Sequence, residues 1–265
     1  MPELPEVENV RKYLSHSIVG KKIEAIDNFS NEKIISSSVI SQIQNTKIKS
    51  VRRHAKYLFL DLDNSLTLIS HLRMEGRYYL NSQINPHTRI RFYFEGKETL
   101  DFVDRRKFGN FVLVKTDSIG EYLSNKVGKE PFDLTADELV LKAKRKSSLV
   151  KAFLLDQHNI AGLGNIYVDE VLFASKILPT RTVDTLTKAD FEKILENSKI
   201  ILKKAVELGG STISSFEIAE GLNGSFQNYL KVHTRVGKSC LVCGTEIKKI
   251  KVAGRGSYVC EVCQK

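Results

Sequence analysis

No stretch of this 265-residue chain approaches the roughly 18 consecutive apolar residues that a membrane helix requires, so no membrane partner is expected. The start, Met1-Pro2-Glu3-Leu4-Pro5-Glu6, has neither a basic n-region nor an apolar h-region, so a signal peptide is excluded and a cytoplasmic address is the expectation. No cysteine precedes residue 240, which argues against a disulfide scaffold. No internal repeat and no low-complexity tract is present, so solenoid and propeller architectures drop out. No group of Asp, Glu and His has the spacing of a magnesium or catalytic zinc site, which argues against a metal-dependent nuclease.

What is present can fill a core: 42% of residues are hydrophobic and 27% charged, so wholesale disorder is excluded. The 41 Lys and Arg outnumber the 31 Asp and Glu, giving a formal charge of +10. An excess of this size points to a polyanionic partner.

The only four cysteines are Cys240, Cys243, Cys260 and Cys263. Two thiolates two residues apart can hold one face of a tetrahedral ion, and a second such pair completes a closed four-sulfur site. One structural Zn2+ is the expected cofactor, with a β-hairpin between Thr245 and Val259. From Lys231 to Lys265 eight Lys and Arg stand against two Glu, so the module is electropositive and suited to phosphate.

Val7, Val10 and Leu14 predict a helix over residues 5–15, with Pro5 in its first turn. From about residue 22 to 115 the period is two. The clearest strands are residues 57–62, 66–69, 89–94 and 111–114, with Asp63-Asn64-Ser65 and Glu95-Gly96-Lys97 as hairpin turns. Beyond Pro131 the pattern is helical: Ala136–Lys144, Leu149–Leu155, Tyr167–Ala174, Lys188–Leu208 and Phe226–Lys231. The fold class expected is α+β: an N-terminal antiparallel β-sandwich with flanking helices, then a helical domain ending in a zinc β-ribbon. The expected domains are residues 1–130, 131–237 and 238–265, with a ligand cleft where the β half meets the helical half.

Removal of Met1 before a small residue would expose the secondary amine of Pro2. A terminal amine has a reference pKa of about 7.7–8.0, so near neutrality much of it carries a lone pair able to attack an electrophilic carbon. Glu3 and Glu6 flank it, at the start of a helix whose dipole favours carboxylates.

Met1-Pro2-Glu3-Leu4-Pro5-Glu6-Val7-Glu8 resembles the start of the formamidopyrimidine-DNA glycosylases. Four further blocks follow in that family's order. His71-Leu72-Arg73-Met74-Glu75-Gly76 is similar to its His-Leu-x-Met-x-Gly segment, and Asp104-Arg105-Arg106-Lys107-Phe108-Gly109 to its intercalation loop. Leu154-Leu155-Asp156-Gln157 with Ile160-Ala161-Gly162-Leu163-Gly164-Asn165-Ile166-Tyr167 resembles its helix-two-turns-helix element. The cysteine spacing is that of its zinc ribbon. The resemblance covers the whole chain.

It implies a bifunctional glycosylase and abasic-site lyase of base excision repair. The substrate is double-stranded DNA carrying oxidised bases or abasic sites, and the enzyme is a nucleoid-associated monomer. Pro2 would be the nucleophile, Glu3 the general acid, and Glu6 and Lys56 their helpers. Met74, Arg106 and Phe108 would fill the gap left by an extruded nucleotide, which suits an adaptable thioether, a planar fork and a stacking ring. His71, Asn165 and Arg255, with Lys56, would hold phosphates.

The alternatives are an oxidised-pyrimidine glycosylase resembling endonuclease VIII, and a zinc-ribbon DNA-binding protein without catalysis. The chain departs from the resemblance in two places. Thr212-Ile213-Ser214-Ser215-Phe216-Glu217, in the base-recognition loop expected within Thr212–Phe226, lacks an Arg after the aliphatic residue. Val232-His233-Thr234-Arg235 stands where Val-Tyr-Gly-Arg is usual. Both bear on lesion preference, as does Glu75, which is placed to face the extruded base.

Overall fold

The protein is described by a computed structural model covering residues 1–30, 32–212 and 223–265. It divides into two compact units, Met1–Leu123 with Leu208–Ser225, and Ser124–Glu207 with Phe226–Lys265.

The first unit opens with helix α1 (Leu4–Ile18), which has Pro5 in its first turn and buries Val7, Val10, Leu14 and Ile18 along one stripe. Strand β1 (Ile23–Asn28) and a short helix α2 (Ser37–Ile43) follow. Then come β2 (Ile48–His54), β3 (Tyr57–Leu62), β4 (Leu66–His71), β5 (Arg77–Leu80), β6 (Thr88–Phe94), β7 (Thr99–Val103) and β8 (Asn110–Lys115), and helix α3 (Ile119–Ser124). The strands form two antiparallel four-stranded sheets, ordered β1-β6-β7-β5 and β2-β3-β4-β8.

Period-two alternation gives each sheet an apolar face, and the two faces share one core with α1. Phe92 and Phe102 of the first sheet meet Phe111 of the second at 6.2 and 5.0 Å between ring centres. The expected sandwich is therefore present.

Helix α2 has no counterpart in the sequence expectations. Its start is set by Ser36, whose hydroxyl accepts the Val39 N–H at 3.3 Å as an N-cap.

The second unit contains α4 (Ala136–Ala143), α5 (Val150–Leu155), α6 (Asn165–Ala174), α7 (Lys188–Glu207) and a hairpin of β9 (Lys248–Val252) and β10 (Arg255–Val259). Helix α6 is buried on most sides, against α5, α7 and β10. The helix expected over Phe226–Lys231 is instead a single 3-10 turn, Phe226–Tyr229. It stops because the N–H groups of Lys231, Val232 and His233 all donate to the buried carboxylate of Glu170, at 2.8–2.9 Å, rather than to carbonyls one turn back. No helix among the described residues is long and apolar enough to cross a membrane.

Candidate active site and nucleic-acid interface

In the first unit the topology gathers several loops at one end of the β2-β3-β4-β8 sheet. Strand β2 ends and β3 begins at a two-residue turn, Ala55–Lys56, closed by the pair His54 and Tyr57. Ala55 takes the left-handed backbone (φ +52) that the tight turn needs. At the same end β4 finishes with His71, opposite Tyr57, and β8 starts with Asn110, opposite His71. Lys56, the Leu72–Gly76 loop and the Asp104–Gly109 loop therefore leave the sheet side by side.

Helix α1 points its N-terminus the same way. Arg53 pairs with Glu8 at 3.0 Å and donates to the Ala55 carbonyl, while Ser15, two turns further on, donates to the Val51 carbonyl.

At that helix start Pro2 is buried and Met1 is 47% exposed. Glu3 is the N-cap residue, and it forms a reciprocal capping box with Glu6 in which the Glu3 N–H donates to Glu6 Oε2 at 2.9 Å. The other oxygen of Glu6, Oε1, accepts the Ser211 N–H at 2.7 Å. Both glutamates are 2% exposed. With each oxygen of Glu6 fixed by a backbone donor, that carboxylate orients its surroundings; Glu3 stands directly beside Pro2.

Lys56 and His71 are both buried. Burial, with the charges of Arg73 and Lys56, pushes the His71 imidazole down to about 3. The ring is therefore neutral at pH 7. Its Nδ1 accepts the Arg73 N–H at 2.9 Å, which leaves the proton on Nε2 as a donor. Tyr57 holds the ring edge-on at 4.6 Å.

The Leu72–Gly76 and Asp104–Gly109 loops are built on glycines and one aspartate. Asp104 accepts three backbone N–H groups, those of Arg106 (3.0 Å), Phe108 (2.8 Å) and Gly109 (2.7 Å), so the loop closes around its carboxylate. This presents Arg106 exposed and Phe108 52% exposed, the guanidinium lying over the ring at 4.8 Å. Met74 and Glu75 are half-buried.

In the second unit a turn from Asp156 to Gly164 joins α5 to α6. Gln157 threads it, accepting the Gly162 N–H and donating to the Leu155 and Leu163 carbonyls. Asn165, the first residue of α6, donates to the Gly256 carbonyl at 3.0 Å and so stands next to Arg255, which is exposed at the start of β10. The junction rests on a fully buried ion pair: Lys151 Nζ lies 2.6 Å from Asp169 Oδ1 and also donates to the Gly256 carbonyl. His233 is buried in the same cluster, its Nδ1 2.8 Å from Asp169 Oδ2 and its ring edge against Tyr258.

The four cysteine sulfurs lie within 4.8 Å of one another, with Cys243 to Cys260 at 3.4 Å and Cys240 to Cys263 at 3.9 Å. A tetrahedral zinc thiolate with bonds of about 2.3 Å has sulfur–sulfur edges of about 3.8 Å. The donor set and spacing therefore fit zinc with no ligand position left open.

Ser211, Asp169 and Lys151 carry no local sequence signal, and Asp104 stood out only as the first residue of its block. Asp104 was readable as the residue that closes a turn before Gly109. The others act through contacts far apart in the chain, which no local spacing reveals. Residues 213–222 of the expected base-recognition loop lie outside the described residues.

Comparison with known proteins gives three family matches. Residues 1–111 match the formamidopyrimidine-DNA glycosylase N-terminal domain, residues 127–217 the formamidopyrimidine-DNA glycosylase H2TH domain, and residues 237–265 the zinc finger found in FPG and IleRS. The formamidopyrimidine-DNA glycosylase of Listeria monocytogenes is 40% identical over 274 residues, covering 100% of both chains. Two solved structures from Lactococcus lactis superpose with TM-scores of 0.94 at 38% identity. One is an FPG mutant with a Fapy-dG containing DNA, covering 100% of each chain. The other is Fpg with an abasic site containing DNA, covering 99% of each.

Proposed function

The chain belongs to the formamidopyrimidine-DNA glycosylase family, and from that premise we propose that Pro2 is its nucleophile in removing oxidised purines, 8-oxoguanine and formamidopyrimidines, from duplex DNA. The protein is a DNA glycosylase of base excision repair with abasic-site lyase activity, and its zinc finger holds one structural zinc ion. The nucleoid, in the cytoplasm, is the place where such DNA is met.

The observation that carries the reading is the helix start. Glu3 is locked beside Pro2 by the capping box with Glu6, at the end of the sheet that also bears Lys56, His71 and the Leu72–Gly76 and Asp104–Gly109 loops. Loss of Met1 turns the Pro2 nitrogen from an amide into an amine. Met74, Arg106 and Phe108 enter the duplex and offset the few kcal/mol that extruding a nucleotide costs. Lys56, neutral His71 through Nε2, Asn165 and Arg255 take phosphates.

The amine lone pair then forms a bond to C1′, the bond from C1′ to the base breaks with its electron pair going to the base, and the proton shed by the amine nitrogen neutralises the departing base. Glu3 gives its proton to the ring oxygen as the ring opens, leaving an iminium ion. That electron sink acidifies the C2′ protons. Loss of one expels the 3′ phosphate, and a second elimination expels the 5′ phosphate. Glu6 holds Glu3 and the sugar in register, and Lys56 assists the proton transfers. Each step uses side chains already present, so chelating free metal does not stop it.

The test uses short duplexes, each with one defined lesion, assayed in EDTA. Excision from 8-oxoguanine and formamidopyrimidine duplexes with cleavage on both sides of the lost nucleoside is expected. Binding without cleavage would instead support the non-catalytic zinc-ribbon reading.

A further inference from the structure

Glu6 joins the helix start to a second element that no single motif marks. Residues 208–212 and 223–225 run together as a neck, the stems on either side of residues 213–222. The Ser225 N–H donates to the Leu208 carbonyl at 2.8 Å, and the Gly224 N–H donates to the Thr212 hydroxyl at 2.9 Å. The two stems touch so closely that a Cβ on Gly224 would stand 2.2 Å from the Gly210 carbonyl oxygen and 2.6 Å from that of Gly209. Gly210, with φ +78, lies in turn on Glu6: a Cβ there would be 2.9 Å from Oε1. The next residue, Ser211, gives its N–H to that same oxygen. An unbroken series of contacts thus runs from Gly224 and Thr212 through Gly210 and Ser211 to Glu6 and Glu3.

We propose that Thr212 and Gly224 are positioning residues for base excision, closing the neck so that Glu6 holds Glu3 in register with the sugar. This rests on the glycosylase reading above. The two reactions of the site differ in how much they need that register. An abasic sugar offers an aldehyde, which condenses with an amine without expelling a base. An intact nucleoside must be attacked at a carbon still bonded to its base, and the ring oxygen must be protonated in step with that attack. A neck that slips releases the Ser211 N–H from Glu6 and affects the second reaction more than the first.

The test compares single-turnover rates on a duplex carrying 8-oxoguanine and on the same duplex carrying an abasic site. The proteins are wild type, Thr212→Val, Thr212→Ser and Gly224→Ala. Valine keeps the shape of threonine and removes the acceptor for the Gly224 N–H, whereas serine keeps it. The ratio of excision to abasic cleavage falls about tenfold in Thr212→Val, the scale of one hydrogen bond lost from the transition state, and returns in Thr212→Ser. Gly224→Ala lowers the ratio in the same direction; should it fail to fold, the threonine pair carries the test. An unchanged ratio in Thr212→Val, or an equal fall in Thr212→Ser, overturns the neck's role alone. Wild-type protein that processes neither duplex overturns the glycosylase reading and the neck's role with it.

Discussion

Gly109 rests on the ring of Phe102 so closely that a Cβ on the glycine would stand 2.5 Å from Cζ. Gly76, at the end of the Leu72–Gly76 loop, sits on the same ring, with its Cβ position 2.8 Å from Cζ and 2.7 Å from the Leu72 carbonyl oxygen. One buried phenylalanine of β7 is thus the floor on which the Met74 loop and the Arg106–Phe108 loop are both laid. The two loops lie side by side because two glycines allow a close approach to a common ring.

Gly109→Ala therefore forces the loop off Phe102 and away from Asp104. Overpacking of this kind costs about 1–3 kcal/mol, and we expect affinity for lesion duplex to fall about tenfold. Gly120→Ala is the control: it lies in α3 with nothing within 4 Å of the added atom, and it should leave binding unchanged. Equal binding by both variants in a titration would remove Phe102 as the shared floor.

His71 makes stability fall in acid. The unfolded chain takes up the imidazole proton near pH 6.5, while the folded chain resists it down to about 3. The contribution is absent above pH 6.5. Below it, each unit of pH disfavours the fold by at most about 1.4 kcal/mol until the folded ring titrates. Denaturant unfolding of wild type and His71→Asn between pH 7 and 4 should show curves that converge toward acid as the variant escapes this loss. Parallel curves would contradict the burial argument.

Most strands were legible because their signal is local: β3 and β4 are short runs buried almost throughout, and β6 alternates buried and half-buried residues in its second half. The division of β1 to β8 between two sheets was not legible, since pairing depends on partners far along the chain. Helix α2 escaped notice because Ser36-Ser37-Ser38 has a turn-like composition, and only the cap geometry shows a helix starting there. Among the candidate site residues, the four cysteines could be read from type and spacing, whereas Pro2 and Glu3 stood out only beside the other blocks of the family resemblance. The second bond of Glu6, to a residue 205 positions away, could not be read in the sequence. For His233, in the place of tyrosine, residue type leaves packing and phosphate contact equally open; the structure buries its ring between Asp169 and Tyr258.

Thr234 follows His233 and occupies φ +62, a conformation that a β-branched residue adopts only under strain. Thr234→Gly should relieve roughly 1–2 kcal/mol, seen as a rise in the thermal midpoint of the second unit. A lower midpoint would mean that the Thr234 hydroxyl, which donates to the His233 carbonyl, outweighs the strain.

Removing zinc should unmake the ribbon without unfolding the sandwich. The ribbon core is small, with Phe173, Val232 and Ile247 packed around Cys240 and Cys260, so the metal bonds supply much of its stability. Chelation strong enough to extract the ion, or Cys260→Ser, is expected to displace Arg255 and the Gly256 carbonyl that holds Asn165, and to abolish tight DNA binding. The circular-dichroism signal of the β-sheets should persist. Full affinity in metal-free protein would contradict this division of labour.

The Pro2 nitrogen is tested most directly by borohydride. Protein lacking Met1, mixed with lesion duplex and reductant, should become covalently joined to DNA through a reduced amine, and mass spectrometry should place the bond on residue 2. Protein that keeps Met1 or bears an N-terminal tag should give no adduct and cut no strand. Cleavage by the blocked protein at the rate of the free one would contradict the assignment of Pro2.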